Sequence, residues 1–364
     1  MKTPPLTVLL VSILVAGSVQ ARAQEAAATF QAYSKFDFVA GDKVVAFDDF
    51  MEDSIGDFPA RWNTNAAGEV VTVANQPGRW LKLTGGGFFV PEYLLLLPDN
   101  FTLEFDVLTS PDFNSSFRLN TSIVELSNVK QPAGWQAADN RFTFTAQPGT
   151  PDSQTQMEPR QGGVGVAAVS ADTKQFPKGS RLHVSVSRQR QRVRVYFNQD
   201  KVWDVARALQ ADAKYNTILF FVPRVDEGSE YYLANVRLAV GAPDTRNKLL
   251  TDGKWVTNGI LFDVNSDRIR GESYGALREV ANVLNENADL KIQIVGHTDA
   301  DGDEAQNLDL SRRRAASVKS ALVSEFKIDA ARMDTDGRGE TQSVDKNDTA
   351  AGKANNRRVE FIKK

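Results

Sequence analysis

Cysteine is absent from this 364-residue chain. That excludes a disulfide framework, a thiolate metal site, a cysteine nucleophile and lipid attachment through an N-terminal cysteine. Histidine is nearly absent: His183 and His297 are the only two. They lie far apart in sequence, and a zinc site needs better ligands than that. A large charge excess is lacking too, with a formal net charge of -3, so nothing in the composition points to nucleic acid as a partner. Long hydrophobic runs are missing beyond the first residues, whereas a spanning helix needs ~20 consecutive apolar positions.

The N-terminus carries the first positive signal. Lys2 supplies a positive start, Leu6 to Ala16 form a short apolar run, and Ala21-Arg22-Ala23 places small residues where a signal peptidase cuts. Residues 1–23 are therefore expected to be a secretory signal peptide, cleaved after Ala23. The alternative, a membrane anchor over Leu6–Val19, is short for a span. A cysteine-free secreted chain fits the periplasm, or a location associated with the outer membrane. The mature chain is long enough for two domains at the usual ~100–200 residues each.

The first long region, 24–240, reads as β-structure. In "TLEFDVL" (102–108), Leu103, Phe105 and Val107 share one strand face while Glu104 and Asp106 take the other. "RLHVSVS" (181–187) alternates likewise, and "VRVYFNQDKVWDV" (193–205) is two alternating runs around Asn198-Gln199-Asp200, a hairpin signal. "NTILFFV" (216–222) and "YYLANVRLAV" (231–240) add two more strands. Short strands punctuated by Gly, Pro, Asn and Asp predict an antiparallel sandwich. Residues 241–254 are polar, carry Gly and Pro, and read as a linker.

From 255 to 364 strand and helix patterns alternate. "GILFDV" (259–264) reads as a strand. Tyr274, Leu277, Val280, Ala281 and Leu284 then recur at helical spacing. "LKIQIVGHT" (290–298) is a second strand, and Ser311, Ala315, Val318 and Leu322 form the stripe of a second helix. "RRVEFIK" (357–363) closes with a strand. The βαβαβ order predicts an α/β sandwich.

One stretch, "GHTDADGDEAQNLDLSRRRAASV" (296–318), crowds acids before bases. As a calcium loop it starts well with Asp299, Asp301 and Asp303. Glu304 then stands where the loop needs glycine, and Leu310 where it needs its last acid. A second reading makes Asp299, at a strand end, and Arg314, on the next helix, the two poles of a clamp. The carboxylate would take an ammonium, and the planar guanidinium fork would take a carboxylate at two points. A third makes them a structural ion pair. Spacing alone leaves these open.

The flanking residues carry a resemblance. "GHTD", "NLDLSRRRAASVKSAL", "GRGE" and "AGKANNRRVEF" stand in order, and Asn307, Leu310, Ser311, Arg314, Ala315 and Val318 fill an N-x-x-L-S-x-x-R-A-x-x-V pattern. This region resembles the OmpA-like C-terminal domain. The resemblance implies non-covalent binding of peptidoglycan through the diaminopimelate of its stem peptide, whose free amino-acid end is a zwitterion. It further implies that Asp299 accepts the ammonium and Arg314 the carboxylate. Asn265 and Asn307 would hold loops or donate to the ligand, and Thr298 and Arg357 would line the groove. Ser343 and Lys346 depart from the family's usual proline and acid, so that loop is expected to differ in shape. His297 is expected to be structural.

For the β region, the hairpin 181–203 and the strand 97–108 resemble laminin-G-like or concanavalin-like jelly rolls. That implies a module binding a glycan or an envelope protein, or a spacer. A glycosidase with E-x-D-x-x-E needs a third acid where Thr109 stands, so Glu104 and Asp106 are expected on a solvated face. No serine nucleophile with a partnered base is visible. The expectation is a non-enzyme without cofactor or metal. The alternative architecture is an outer-membrane β-barrel tethering the membrane to the cell wall, which needs strands of ~9–11 residues with an apolar outer band.

Overall fold

The computed structural model describes residues 36–93, 97–149, 152–241 and 245–364. The expected signal peptide, residues 1–23, lies outside the described residues.

The alternating stretches form two antiparallel sheets. In spatial order, the first holds Asp200–Val205, Arg192–Phe197, Arg181–Gln189, Asn100–Thr109, Tyr231–Val240, Gln76–Leu83 and Gly68–Val73, with Lys43–Asp48 also paired to Tyr231–Val240. The second runs Val164–Gly165, Ser153–Gln161, Arg141–Ala146, Leu119–Val124, Thr217–Val222, Gly87–Pro91 and Trp62–Thr64, with Val169–Thr173 paired to Ser153–Gln161. One face of each sheet meets the other in a common apolar core. Phe105 of the first meets Phe220 of the second edge-on, with ring centroids 5.0 Å apart. Side chains at period two make this possible, since every second residue of a strand points inward. Both sheets stay open among the described residues, so the strands make a sandwich and not the closed cylinder of the barrel alternative.

The C-terminal region is an α/β layer. Its sheet runs Lys254–Thr257, Val359–Lys363, Ile292–Gly296, Met333–Gly337, antiparallel except for the last pair. The helices are α1 (Thr245–Leu250), α2 (Tyr274–Glu286), α3 (Glu304–Phe326) and α4 (Ala350–Asn356). In α3 the expected stripe is the buried one: Ser311, Ala315, Val318 and Leu322. Asp303 caps its start, accepting a bond from Gln306 N at 3.0 Å. Lys327, left-handed at φ 61°, ends it.

The structure departs from the expected elements in two ways here. Residues 259–264 are not a strand, and only an isolated bridge joins Phe262 to Ile269. Local bonds divert the chain: Gly259 N donates to Thr257 Oγ1 at 3.0 Å, and Leu261 exchanges bonds with Ser273 Oγ at 2.8 and 3.1 Å. The strand forms just before, at Lys254–Thr257, which begins inside the expected linker. Two further elements escape the sequence pattern, the edge strand Met333–Gly337 and α4. "MDTDG" lacks apolar alternation, and "AAGKANN" is too short to show a stripe.

The sandwich and the C-terminal region pack together within one compact unit, Lys35–Lys364. Phe36, Phe38 and Ala40 wedge between Tyr196 of the sandwich and Tyr274 of α2. Asn355, at the end of α4, clasps the edge strand Lys43–Asp48: its Oδ1 accepts from Val44 N at 2.9 Å and its Nδ2 donates to Val44 O at 2.9 Å. This packing overturns the expectation for Glu104 and Asp106. Both are buried, because the outer face of the first sheet is covered by the C-terminal region.

Candidate functional site

Strand Ile292–Gly296 ends beside α3, and two glycines let them approach closely. A Cβ at Gly296 would lie 2.3 Å from Ser311 O, and one at Gly337, on the neighbouring strand, 2.4 Å from Arg312 N. No side chain fits there, so the helix presses on the strand ends. Arg314 is thereby carried to the mouth of the sheet, where the chain leaves Gly296 as His297, Thr298 and Asp299.

Asp299 is buried, and its carboxylate pairs with Arg357. Its other oxygen accepts from Asp301 N at 3.2 Å. Arg357 in turn lies under the ring of Phe47, with its guanidinium carbon 5.7 Å from the ring centroid. Arg314 does not pair with Asp299. Its Nε donates to Ser266 O at 3.0 Å, its guanidinium sits 4.9 Å from the centroid of Phe262, and among the described residues it forms no ion pair. Burial, and then the Arg357 cation, push Arg314 down to about 10, while Asp299 pulls the other way.

Between these groups lies a cleft of about 130 Å³. Arg314 and Arg357 line it with Phe262 and His297, and the sandwich contributes Phe47 and Arg237. Asp299 stands behind Arg357 and not in the wall. The cleft thus presents fixed cations beside apolar rings, with a carboxylate one contact away, a setting suited to an anion attached to an aliphatic chain.

The remaining expected residues take supporting places around the cleft. Asn307 is buried and ties the loop: its Nδ2 donates to Asp301 O at 3.0 Å, Asp299 O at 3.4 Å and Glu340 Oε2 at 2.6 Å. Asn265 is exposed and left-handed at φ 53°, shaping the turn whose Ser266 carbonyl holds Arg314. Thr298 is buried, its N bonded to Gly339 O at 3.0 Å and its hydroxyl without a partner among the described residues. His297 is buried with Nε2 3.6 Å from Glu360. Although burial opposes it, His297 together with Lys254 and Arg358 holds the Glu360 carboxyl well below the usual range. The three aspartates of the loop before α3 go to three partners. Asp299 meets Arg357, Asp301 meets Lys353 at 2.8 Å, and Asp303 caps α3. The divergent loop is pinned by the fully buried Asn356, which bonds Val344 N at 2.8 Å, Asp345 N at 3.0 Å and Asn347 at 2.9 Å.

Phe47, Arg237, Asn258 and Asn356 were not foreseen as site or support residues. For Asn356 the "NN" before "RRVEF" was a usable signal. For Phe47 and Arg237 there was none, because only the packing of two regions brings them to the cleft.

A second charged cluster lies close by. Arg237 Nη1 meets Glu104 Oε1 at 2.9 Å, and its Nη2 reaches Asn258 O at 3.3 Å. His183 sits between the two carboxylates, Nδ1 2.8 Å from Asp106 and Nε2 3.5 Å from Glu104, an ion-pair distance and not a close hydrogen bond. Asp106 also takes Arg181 at 2.9 Å and Asn235 at 2.6 Å. Burial disfavours the charged imidazole, but the two acids outweigh it and raise His183 to about 10.

Residues 261–357 match the OmpA family. Outer-membrane lipoprotein YfiB of Pseudomonas aeruginosa is 38% identical over 116 residues, which make up 31% of this chain and 68% of that protein. The chain belongs to the OmpA family. Outer membrane porin F of Pseudomonas aeruginosa is 36% identical over 101 residues, or 28% of this chain. The chain spans only 29% of that relative's own length. Among solved structures, the peptidoglycan-associated lipoprotein from Burkholderia pseudomallei is 28% identical, with 29% of this chain and 88% of that one covered and a TM-score of 0.27. In this OmpA-family chain the family match begins at Leu261, at the diverted segment that lines the cleft.

Proposed function

We propose that this protein anchors itself non-covalently to peptidoglycan in the cell envelope. Its cleft takes the diaminopimelate of the stem peptide. The observation that carries this reading is Arg314, a half-buried cation without an acid partner among the described residues, held beside Arg357 and the Asp299 carboxylate. A ligand carboxylate relieves the repulsion between the two guanidinium groups and takes a two-point bond from Arg314. The ligand ammonium reaches past Arg357 at the edge of the cleft and shares the Asp299 carboxylate with it. Thr298, buried behind the strand end, and Arg357 shape the groove, while Asn265 and Asn307 hold its loops. The names of the matched relatives, an outer-membrane lipoprotein and an outer membrane porin among them, support an envelope location, periplasmic or associated with the outer membrane. The sandwich serves as the body that carries the binding domain, and no catalytic role is assigned to it.

Titration of an L-Ala-γ-D-Glu-meso-diaminopimelate tripeptide into the full chain tests the reading by calorimetry. Charge-assisted bonds of this kind contribute roughly 1.5–3 kcal/mol. Asp299→Asn and Arg314→Lys are each expected to weaken binding about tenfold to a hundredfold. Unchanged affinity in a folded Asp299→Asn protein would sink the proposal.

A further inference from the structure

The cleft is not made by the C-terminal region alone. Phe47 lies on the sandwich edge strand Lys43–Asp48, in register with Arg237 on Tyr231–Val240, and both side chains line the cleft. Their position is fixed twice over. The Asn355 amide holds the backbone of Val44 on that strand from both sides, and Arg237 bridges Glu104 and the Asn258 carbonyl. Ala354, one residue before Asn355, packs with Val44 and Ala239. The Phe47 ring therefore stands at a set place over the guanidinium of Arg357, and it is only half-buried although it is apolar. Across the cleft, Phe262 stands in the same relation to Arg314. Two cations, each covered by one aromatic ring, face a common space.

We propose that Phe47 is a ligand-binding residue contributed by the sandwich, making the site composite. Its ring covers Arg357 and receives the methylene stretch between the two amino-acid ends of diaminopimelate. This rests on the peptidoglycan reading above and adds to it the sandwich wall. The chemistry is that of any zwitterion on a short aliphatic stem: the charged end needs the arginines, the stem needs an apolar surface, and a ring over the guanidinium keeps water from its face.

The test uses the full chain and the same tripeptide, with Phe47→Ala, Phe47→Tyr and Asp299→Asn compared by calorimetry and thermal unfolding. The expected result is about a tenfold loss of affinity in Phe47→Ala, near-native affinity in Phe47→Tyr, and loss of binding in Asp299→Asn. A Phe47 that only supports the fold would lower the unfolding midpoint and leave the affinity of the folded protein intact, and that result overturns the inference. If Asp299→Asn loses binding while Phe47→Ala keeps it, the inference falls and the peptidoglycan reading stands. If Asp299→Asn keeps full affinity, the reading falls and takes the composite site with it. Should Phe47→Ala not fold, Phe47→Leu replaces it, with an expected loss of about threefold and an unchanged affinity as the overturning result.

Discussion

Two charged regions sit side by side in this protein, and Arg237 belongs to both. One is the cluster of Glu104, Asp106, His183 and Arg181 on the covered face of the first sheet. The other is the cleft with Arg314, Arg357 and Asp299. In the first, each charge has opposite charges in contact, and the imidazole is held protonated by two acids. In the second, two cations push on each other, and among the described residues one of them, Arg314, has a backbone carbonyl and the Phe262 ring but no acid. A closed network of buried charges positions the parts it joins, since opening it leaves an uncompensated charge. An open one retains electrostatic free energy that an incoming ion releases. The difference is the one expected between a joint and the proposed binding site, even though both are built of the same residue types.

The largest effect should come from breaking the joint. Asp106→Asn leaves His183 and Arg181 short of an acid in a buried place, and loss of one partner of such a network costs about 3–5 kcal/mol. Chemical denaturation of the full chain checks this, and a loss below about 1 kcal/mol would mean that the cluster does not hold the regions together. Next in size is the cleft, where Asp299→Asn and Arg314→Lys should cost affinity for the tripeptide far more than stability. An Asp299→Asn protein that loses stability with unchanged affinity would place the cleft in the same class as the joint.

Proton linkage gives a smaller effect with a definite sign. His183 is raised from 6.5 to about 10. The folded protein therefore holds a proton that the unfolded chain has lost, and this stabilisation is complete below about pH 6.5 and lost as pH rises through about 10. Glu104 and Asp106 resist burial through their cationic neighbours, and both are lowered. Their contribution is present above the ordinary carboxyl range, ~4, and lost as pH falls below it. The unfolding midpoint should thus be higher near pH 6 than at pH 9, and His183→Gln should flatten the alkaline limb. An unchanged alkaline limb in that variant would show that His183 is not the group responsible. The smallest effects belong to the loop acids. Asp301 pairs with Lys353 at the surface, so Asp301→Asn should cost under about 1 kcal/mol. Asp303→Asn keeps a side-chain oxygen for Gln306 N and should cost little. Titration of the tripeptide into both variants should give the native affinity, and a tenfold loss in either would bring the loop acids into the site.

The joint is also where alternation along the chain misleads. "TLEFDVL" displays its two faces correctly, and Leu103, Phe105 and Val107 do enter the sandwich core. By pattern alone the polar face reads as solvated, because charged residues usually are. Here a second layer covers it, and the charges are retained because each finds a partner. For the same reason 241–254 is no simple linker. It holds α1, whose Leu249 is buried in the C-terminal core and whose Lys248 pairs with Asp42 of the sandwich edge.

The sequence by itself determined the local elements that depend on short-range pattern. These are the sandwich strands at 102–108, 181–187, 216–222 and 231–240, the hairpin around Asn198, the buried stripe of α3, and the family motif that brings Asp299, Asn307 and Arg314 into one neighbourhood. Such features follow from side-chain period and backbone geometry within a few residues. Tertiary structure alone decided the rest. It paired Asp299 with Arg357 and, among the described residues, left Arg314 without an acid. It buried Glu104 and Asp106, and it placed Phe47, more than three hundred residues from its neighbour Arg357, at the wall of the cleft. The physical reason is that a charge's partner and an aromatic ring's neighbour are set by distance in space, and no periodicity along the chain records which face of one layer will be covered by another.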